Sequence, residues 1–260
     1  MIPREHGGWG ILLFSIALGV GAAGRVGLPL LLFTLAALAL FFARYPLTLM
    51  VKGTSKDRAM IWEAIYVTVA ILAFLPLLFI YHLWWLVLFG IAFALYLGAY
   101  LYLAIAKKQR TVWGEMIGIS GLSMAAPMAY YVASGAWQAG VLYLWLLSFL
   151  YHASSVFYVK LKVSYKTLPD LALSLARKLQ MSRGLLLYLG MLVVAVVALG
   201  LGGQVPTLAL LAYLPLLAKA IASAFSPSKV ASIRVLGWTE VFHALLFTGL
   251  MVAVYRIGNS

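Results

Sequence analysis

Apolar runs of about 20 residues alternate with short polar segments along the whole chain. Runs of that length match the ~30 Å hydrocarbon core of a bilayer, at ~1.5 Å of helix per residue. Nine are legible, at about 9–24, 27–46, 61–81, 84–106, 112–133, 138–159, 184–202, 206–224 and 235–256. Pro76, Pro127 and Pro215 fall inside the third, fifth and eighth, where proline suits a kink. The longest polar segment, 160–183, carries apolar residues at helical spacing from Leu168 to Leu179, which predicts a short amphipathic interfacial helix. No linker, repeat or low-complexity tract breaks the pattern. The expectation is an all-α polytopic membrane protein, with residues 1–260 as one transmembrane domain.

Charge orients this pattern. With the N-terminus in the cytoplasm, all but Arg25 and Arg256 of the 19 lysines and arginines fall on the cytoplasmic side. The connections after the third, fifth and seventh runs hold no Lys or Arg, as the positive-inside rule demands. The expected topology is N-terminus in and C-terminus out, across a bacterial or archaeal cytoplasmic membrane. The net charge of +13 alone would suggest a nucleic-acid partner. Its confinement to segments between apolar runs excludes that class. Composition agrees, at 65% hydrophobic and 10% charged, with no cysteine for a disulfide or thiolate metal site.

The few ionisable residues inside or beside the runs carry the candidate chemistry. The chain opens Pro3-Arg4-Glu5-His6-Gly7-Gly8-Trp9-Gly10. An orienting basic flank accounts for Arg4, but not for Glu5, His6 or three glycines in four positions. The stretch therefore reads as the rim of a polar pocket, its glycines giving close access to backbone. Arg44, Glu63, Glu115, His152 and Glu240 all lie near the cytoplasmic ends of their runs, and only His82 among the histidines is on the far side. Such groups are expensive in a bilayer and face a bundle interior or wet cavity. Short glutamate stems also snorkel poorly. They are expected to converge with Arg4, Glu5 and His6 on one cytoplasm-facing cavity. Glu240 and His243 share a helix face and either hydrogen-bond to each other or, with Glu63, Glu115 and His152, hold a metal; the hydrogen bond is the preferred reading.

The opening motif, together with Ala43-Arg44-Tyr45-Pro46-Leu47, resembles the YwiC-like family of bacterial membrane proteins. More distantly, the chain is similar to the UbiA-type prenyltransferases, nine-helix bundles with a cytoplasmic N-terminus. The Gly114-Glu115 entry of the fifth run resembles their fifth helix. That resemblance implies two aspartate-rich motifs, after helices two and six, holding Mg²⁺ against a prenyl diphosphate. The corresponding segments here, Arg44 to Lys52 and Tyr158 to Lys166, contain no acid and carry Arg44, Lys52, Lys160 and Lys162 instead. Asp57 and Asp170 stand singly beyond them. No Mg²⁺ or other cofactor is expected, and the charge inversion points to direct binding of phosphate or carboxylate by Arg and Lys.

Two readings follow. In one, the chain is an enzyme of the prenyltransferase fold, with Glu115, Glu240, His152 or His6 as acid or base. In the other, it is a non-catalytic carrier or transporter for a lipid, quinone or tetrapyrrole. In both, Arg4, Glu5, Arg44, Lys52, Glu63, Lys160 and Lys162 meet the ligand, an isoprenoid or other membrane lipid with an anionic head.

Overall fold

The computed structural model describes residues 6–53, 56–168, 173–228 and 232–258. Ten α-helices and two 3₁₀ segments make up the described chain, with no strand among the described residues. The helices are α1 (His6–Ala23), α2 (Leu28–Val51), α3 (Lys56–Phe79), α4 (Trp85–Ile105), α5 (Val112–Ser123), α6 (Ala125–Ser134), α7 (Leu142–Lys166), α8 (Leu175–Leu201), α9 (Leu214–Phe225) and α10 (Ile233–Gly258). Eight stretches are long and apolar enough to cross a membrane, and the apolar part of α1, Gly7–Ala23, is shorter. Each of the nine apolar runs corresponds to one of these stretches.

Proline explains where runs and helices part company. The fifth run forms two helices, α5 and α6, with a break at Met124. Pro127 cannot donate to the Ser123 carbonyl, so the ladder is interrupted one turn before it. The eighth run starts as a 3₁₀ helix, Thr207–Tyr213, and becomes α9 only at Leu214, with Pro215 in the first turn. Proline is tolerated there because first-turn N–H groups have no intrahelical acceptor. Pro46 and Pro76 do not stop their helices: α2 continues to Val51 and α3 to Phe79.

The interfacial helix expected from Leu168 to Leu179 is not present as a separate element. The Ser174 Oγ accepts from the Arg177 N–H at 3.3 Å, capping α8. The apolar residues that follow are therefore the first turns of the seventh span. Residues 169–172 lie outside the described residues.

The chain forms two compact units, Met1–Trp145 and Leu146–Ser260, dividing inside α7. In the first, α2 packs along α3, and α1 packs along α6. The α1–α6 pair is close because of Gly19, where a Cβ would collide with the Ala126 carbonyl oxygen. Leu12, Phe33, Phe41, Leu77 and Tyr131 are buried in its core. In the second unit α8 packs on α9, and α10 packs on the Thr207–Tyr213 segment and α9. Tyr213 anchors that segment by donating to the Leu147 carbonyl of α7 at 2.8 Å, and Tyr188 of α8 does the same to Leu150 at 2.9 Å.

Candidate functional site

In the first unit one face of α2 presents Phe33, Ala36, Ala37, Leu40, Phe41 and Arg44, the spacing of three turns of helix. This face borders a cavity of about 450 Å³. α3 adds Ala70, Ile71, Phe74 and Leu75; α4 adds Gly90, Phe93 and Tyr100; Gly118 and Gly121 of α5 leave room opposite. Arg44 is its charged residue, at one end of the α2 face. The guanidinium carbon lies 5.0 Å from the Phe41 ring centroid and 4.6 Å from that of Tyr100. Aromatic faces attract and orient the cation at this distance. Leu40, Ile71 and Leu75 also belong to the exposed apolar surface, so the cavity adjoins an exposed apolar face.

The opening motif touches the same end of α2. Trp9 packs edge-on against Phe42 at 4.9 Å and Phe41 at 6.1 Å, and Gly8 lies against the Phe41 ring. Arg4 and Glu5 fall outside the described residues, and His6 is described only as the first residue of α1. Glu63 of α3 faces the Leu47 backbone of α2, and one of its carboxylate oxygens is buried with no hydrogen-bond partner. Tyr66, one turn along α3, packs on Phe42 at 5.7 Å. Glu115 is half-buried in the first turn of α5, where the helix dipole favours an acid; Thr111 caps that helix by accepting from the Gly114 N–H at 3.1 Å. Lys52 caps the C-terminus of α2 and is exposed.

In the second unit a polar stripe runs down α7 through Tyr151, Ser155, Tyr158, Lys162 and Tyr165, alternately four and three residues apart. This spacing keeps all five on one face. Glu240 of α10 meets the stripe. Its Oε2 accepts from the Ser155 hydroxyl at 2.7 Å and its Oε1 from the Lys219 ammonium of α9 at 2.6 Å. Lys219 also lies 4.4 Å from the Tyr158 ring centroid, and Lys162 approaches the same ring at 5.9 Å while donating to Ser228 at 3.0 Å. Tyr151 stacks on Phe247 at 4.0 Å, edge-on to the buried His152. Lys160 is half-buried on the neighbouring face of α7.

The structure thus joins Glu240 and Lys162 through Lys219 and Tyr158, neither of which the sequence reading singled out. Lys219 carried a signal, as a lysine within an apolar run. The expected Glu240–His243 hydrogen bond is corrected. Glu240 turns inward to Lys219 and Ser155, while the His243 Nδ1 lies 2.7 Å from the Thr239 carbonyl of its own helix. The two side chains therefore turn to different partners and do not meet each other. Among the described residues no group of three or more His, Asp or Glu is arranged to hold a metal.

The model of the YwiC-like protein family matches residues 2–130. A Bacillus subtilis (strain 168) protein, uncharacterized protein YwiC, is 27% identical over 160 residues, which is 62% of this chain and 66% of that protein. An uncharacterized protein of Haemophilus influenzae is 24% identical over 160 residues with the same coverage. The matched segment spans just under two thirds of the length of these relatives. No solved structure matches the chain.

Proposed function

Residues 2–130 belong to the YwiC-like family, and from that premise we propose that this membrane protein binds a lipid or isoprenoid with an anionic head. The cavity along α2 carries the reading. It is apolar over its length, ends at one guanidinium, and adjoins an exposed apolar face of the kind a bilayer covers. An apolar chain fits such a slot, and an oxyanion at its end fits arginine, whose fork grips two oxygens at once. The nine apolar stretches agree in number with the UbiA-type bundle that the sequence resembles. Binding ranks ahead of prenyl transfer because the segments that would hold Mg²⁺ and diphosphate in that fold carry bases and no acids.

The test is the lipid that accompanies the purified protein, extracted and identified by mass spectrometry. A species enriched over the bulk membrane lipid is expected in the wild type. Gly90→Phe should remove it, since Gly90 lines the cavity and a Cβ there meets nothing within 4 Å, leaving the ring to fill the slot. Arg44→Ala should weaken binding about tenfold or more, from the ~1.5–3 kcal/mol of a charge-assisted hydrogen bond. Arg44→Lys should recover part of that. No enriched species, undiminished enrichment in Gly90→Phe, or binding abolished by EDTA and restored by Mg²⁺ would overturn the reading.

A further inference from the structure

Among the described residues, the polar stripe of the second unit has more positive charge and more hydrogen-bond donors than it satisfies. Lys162 is 6% exposed, and its contacts are the Ser228 hydroxyl and the Tyr158 ring, with no acid of the described residues. The nearest carboxylate in the network, Glu240, already serves Lys219 and Ser155. Among the described residues, two lysines and one glutamate leave a surplus of one positive charge. Lys162 has three N–H donors, of which one is used on Ser228. One turn further along the same face, the Tyr165 hydroxyl is fully buried with no partner.

A lysine near a helix C-terminus is commonly a snorkelling residue that also complements the dipole. Lys166 fits that description, being exposed in the last turn of α7. Lys162 does not, because it points inward. A buried cation without a counter-charge costs several kcal/mol, and an anion within reach removes that cost. Reach is available. The 25 residues of α7 run ~37 Å, longer than the ~30 Å hydrocarbon core, so its last turns stand at headgroup depth. Ser228, the partner of Lys162, is exposed.

We propose that Lys162, Tyr165 and Ser228, flanked by the Lys219–Tyr158 pair, form a binding site for one oxyanion of the phosphate class. Lysine serves phosphate as a point charge, and tyrosine and serine add neutral donors. A single negative charge balances the cluster, as on a phosphodiester or dihydrogen phosphate. The site is distinct from the Arg44 cavity and stands or falls independently of it.

The experiment titrates the full-length protein in detergent, by calorimetry, with inorganic phosphate in one arm and short-chain phosphatidylglycerol in the other. Saturable binding in either arm is expected; the lipid alone identifies a headgroup, phosphate alone a soluble anion. Lys162→Gln should weaken binding about tenfold. Tyr165→Phe should weaken it a few-fold, Lys162→Arg should largely retain it, and Lys166→Gln should leave it within twofold, the lipid arm being run on an Arg44→Ala background so that the first cavity does not contribute. If Lys162→Gln fails to fold, Tyr165→Phe against Lys166→Gln decides. Absence of binding in both arms, or equal losses in Lys162→Gln and Lys166→Gln, would overturn the proposal. So would unchanged affinity in Tyr165→Phe together with Lys162→Gln.

Discussion

The Lys219–Glu240 pair makes a quantitative prediction. Its charged atoms lie 2.6 Å apart, with the side chains 9% and 16% exposed. Removing one member of such a pair leaves the other charge buried, at a cost of about 3–5 kcal/mol, whereas replacing both by apolar residues is often neutral or better. Lys219→Met and Glu240→Met should each be destabilising, and the double substitution should recover most of the loss. The singles should not be equal. Glu240→Met strands two lysines around the Tyr158 ring without an anion, while Lys219→Met leaves Glu240 with the Ser155 donor and a second lysine on the same ring. Glu240→Met should therefore be the worse. At ~2–4 °C per kcal/mol for a chain of this size, a single substitution lowers the midpoint by roughly 6–20 °C. Thermal unfolding in detergent, followed by tryptophan fluorescence, measures all four proteins. Losses that add in the double variant, or singles indistinguishable from wild type, would show that the pair is not energetically coupled.

Gly19→Ala should cost about 1–3 kcal/mol or more, because the new methyl meets the Ala126 carbonyl rather than a side chain that can swing away; Gly98→Ala, with nothing within 4 Å, should not lower the midpoint. Tyr213→Phe should cost about 1 kcal/mol, the net worth of the hydrogen bond to the Leu147 carbonyl, read as a midpoint fall of a few degrees. A periplasm-active reporter fused after Ser260 should be active, and the same reporter inserted near Gly53 should be silent; the reverse pattern refutes the charge-derived topology.

Bilayer thickness made the spans legible, because it sets how long an apolar run must be whatever the neighbouring helices do. Their ends were less so. Nothing obliges a helix to stop where its apolar run or a proline suggests: α2 continues past Pro46 to Val51, and α7 continues into polar territory to Lys166. Pairing across helices left the weakest trace. Lys219 and Glu240 are 21 residues apart on consecutive elements, and neither neighbourhood announces the other. Glu240 and His243 show the converse: shared spacing suggested a contact, but rotation along α10 sends one inward and the other to its own backbone. The cavity was invisible for a different reason. Leucine, phenylalanine and glycine that line a void read the same along a chain as those that fill one.

On the proposed lipid-binding reading, entry through the exposed apolar side of the Arg44 cavity changes what can govern selectivity there. A chain moving from the bilayer into that slot exchanges one hydrocarbon environment for another, so the ~0.8 kcal/mol per methylene that drives transfer out of water is already realised before binding. Added length then brings no affinity of its own. Discrimination would fall to the head proposed to meet Arg44 and to the shape of the tail beside Gly90, Gly118 and Gly121, which line the cavity. Occupancy would then follow the proposed occupant's mole fraction in the membrane, not its concentration in the surrounding water.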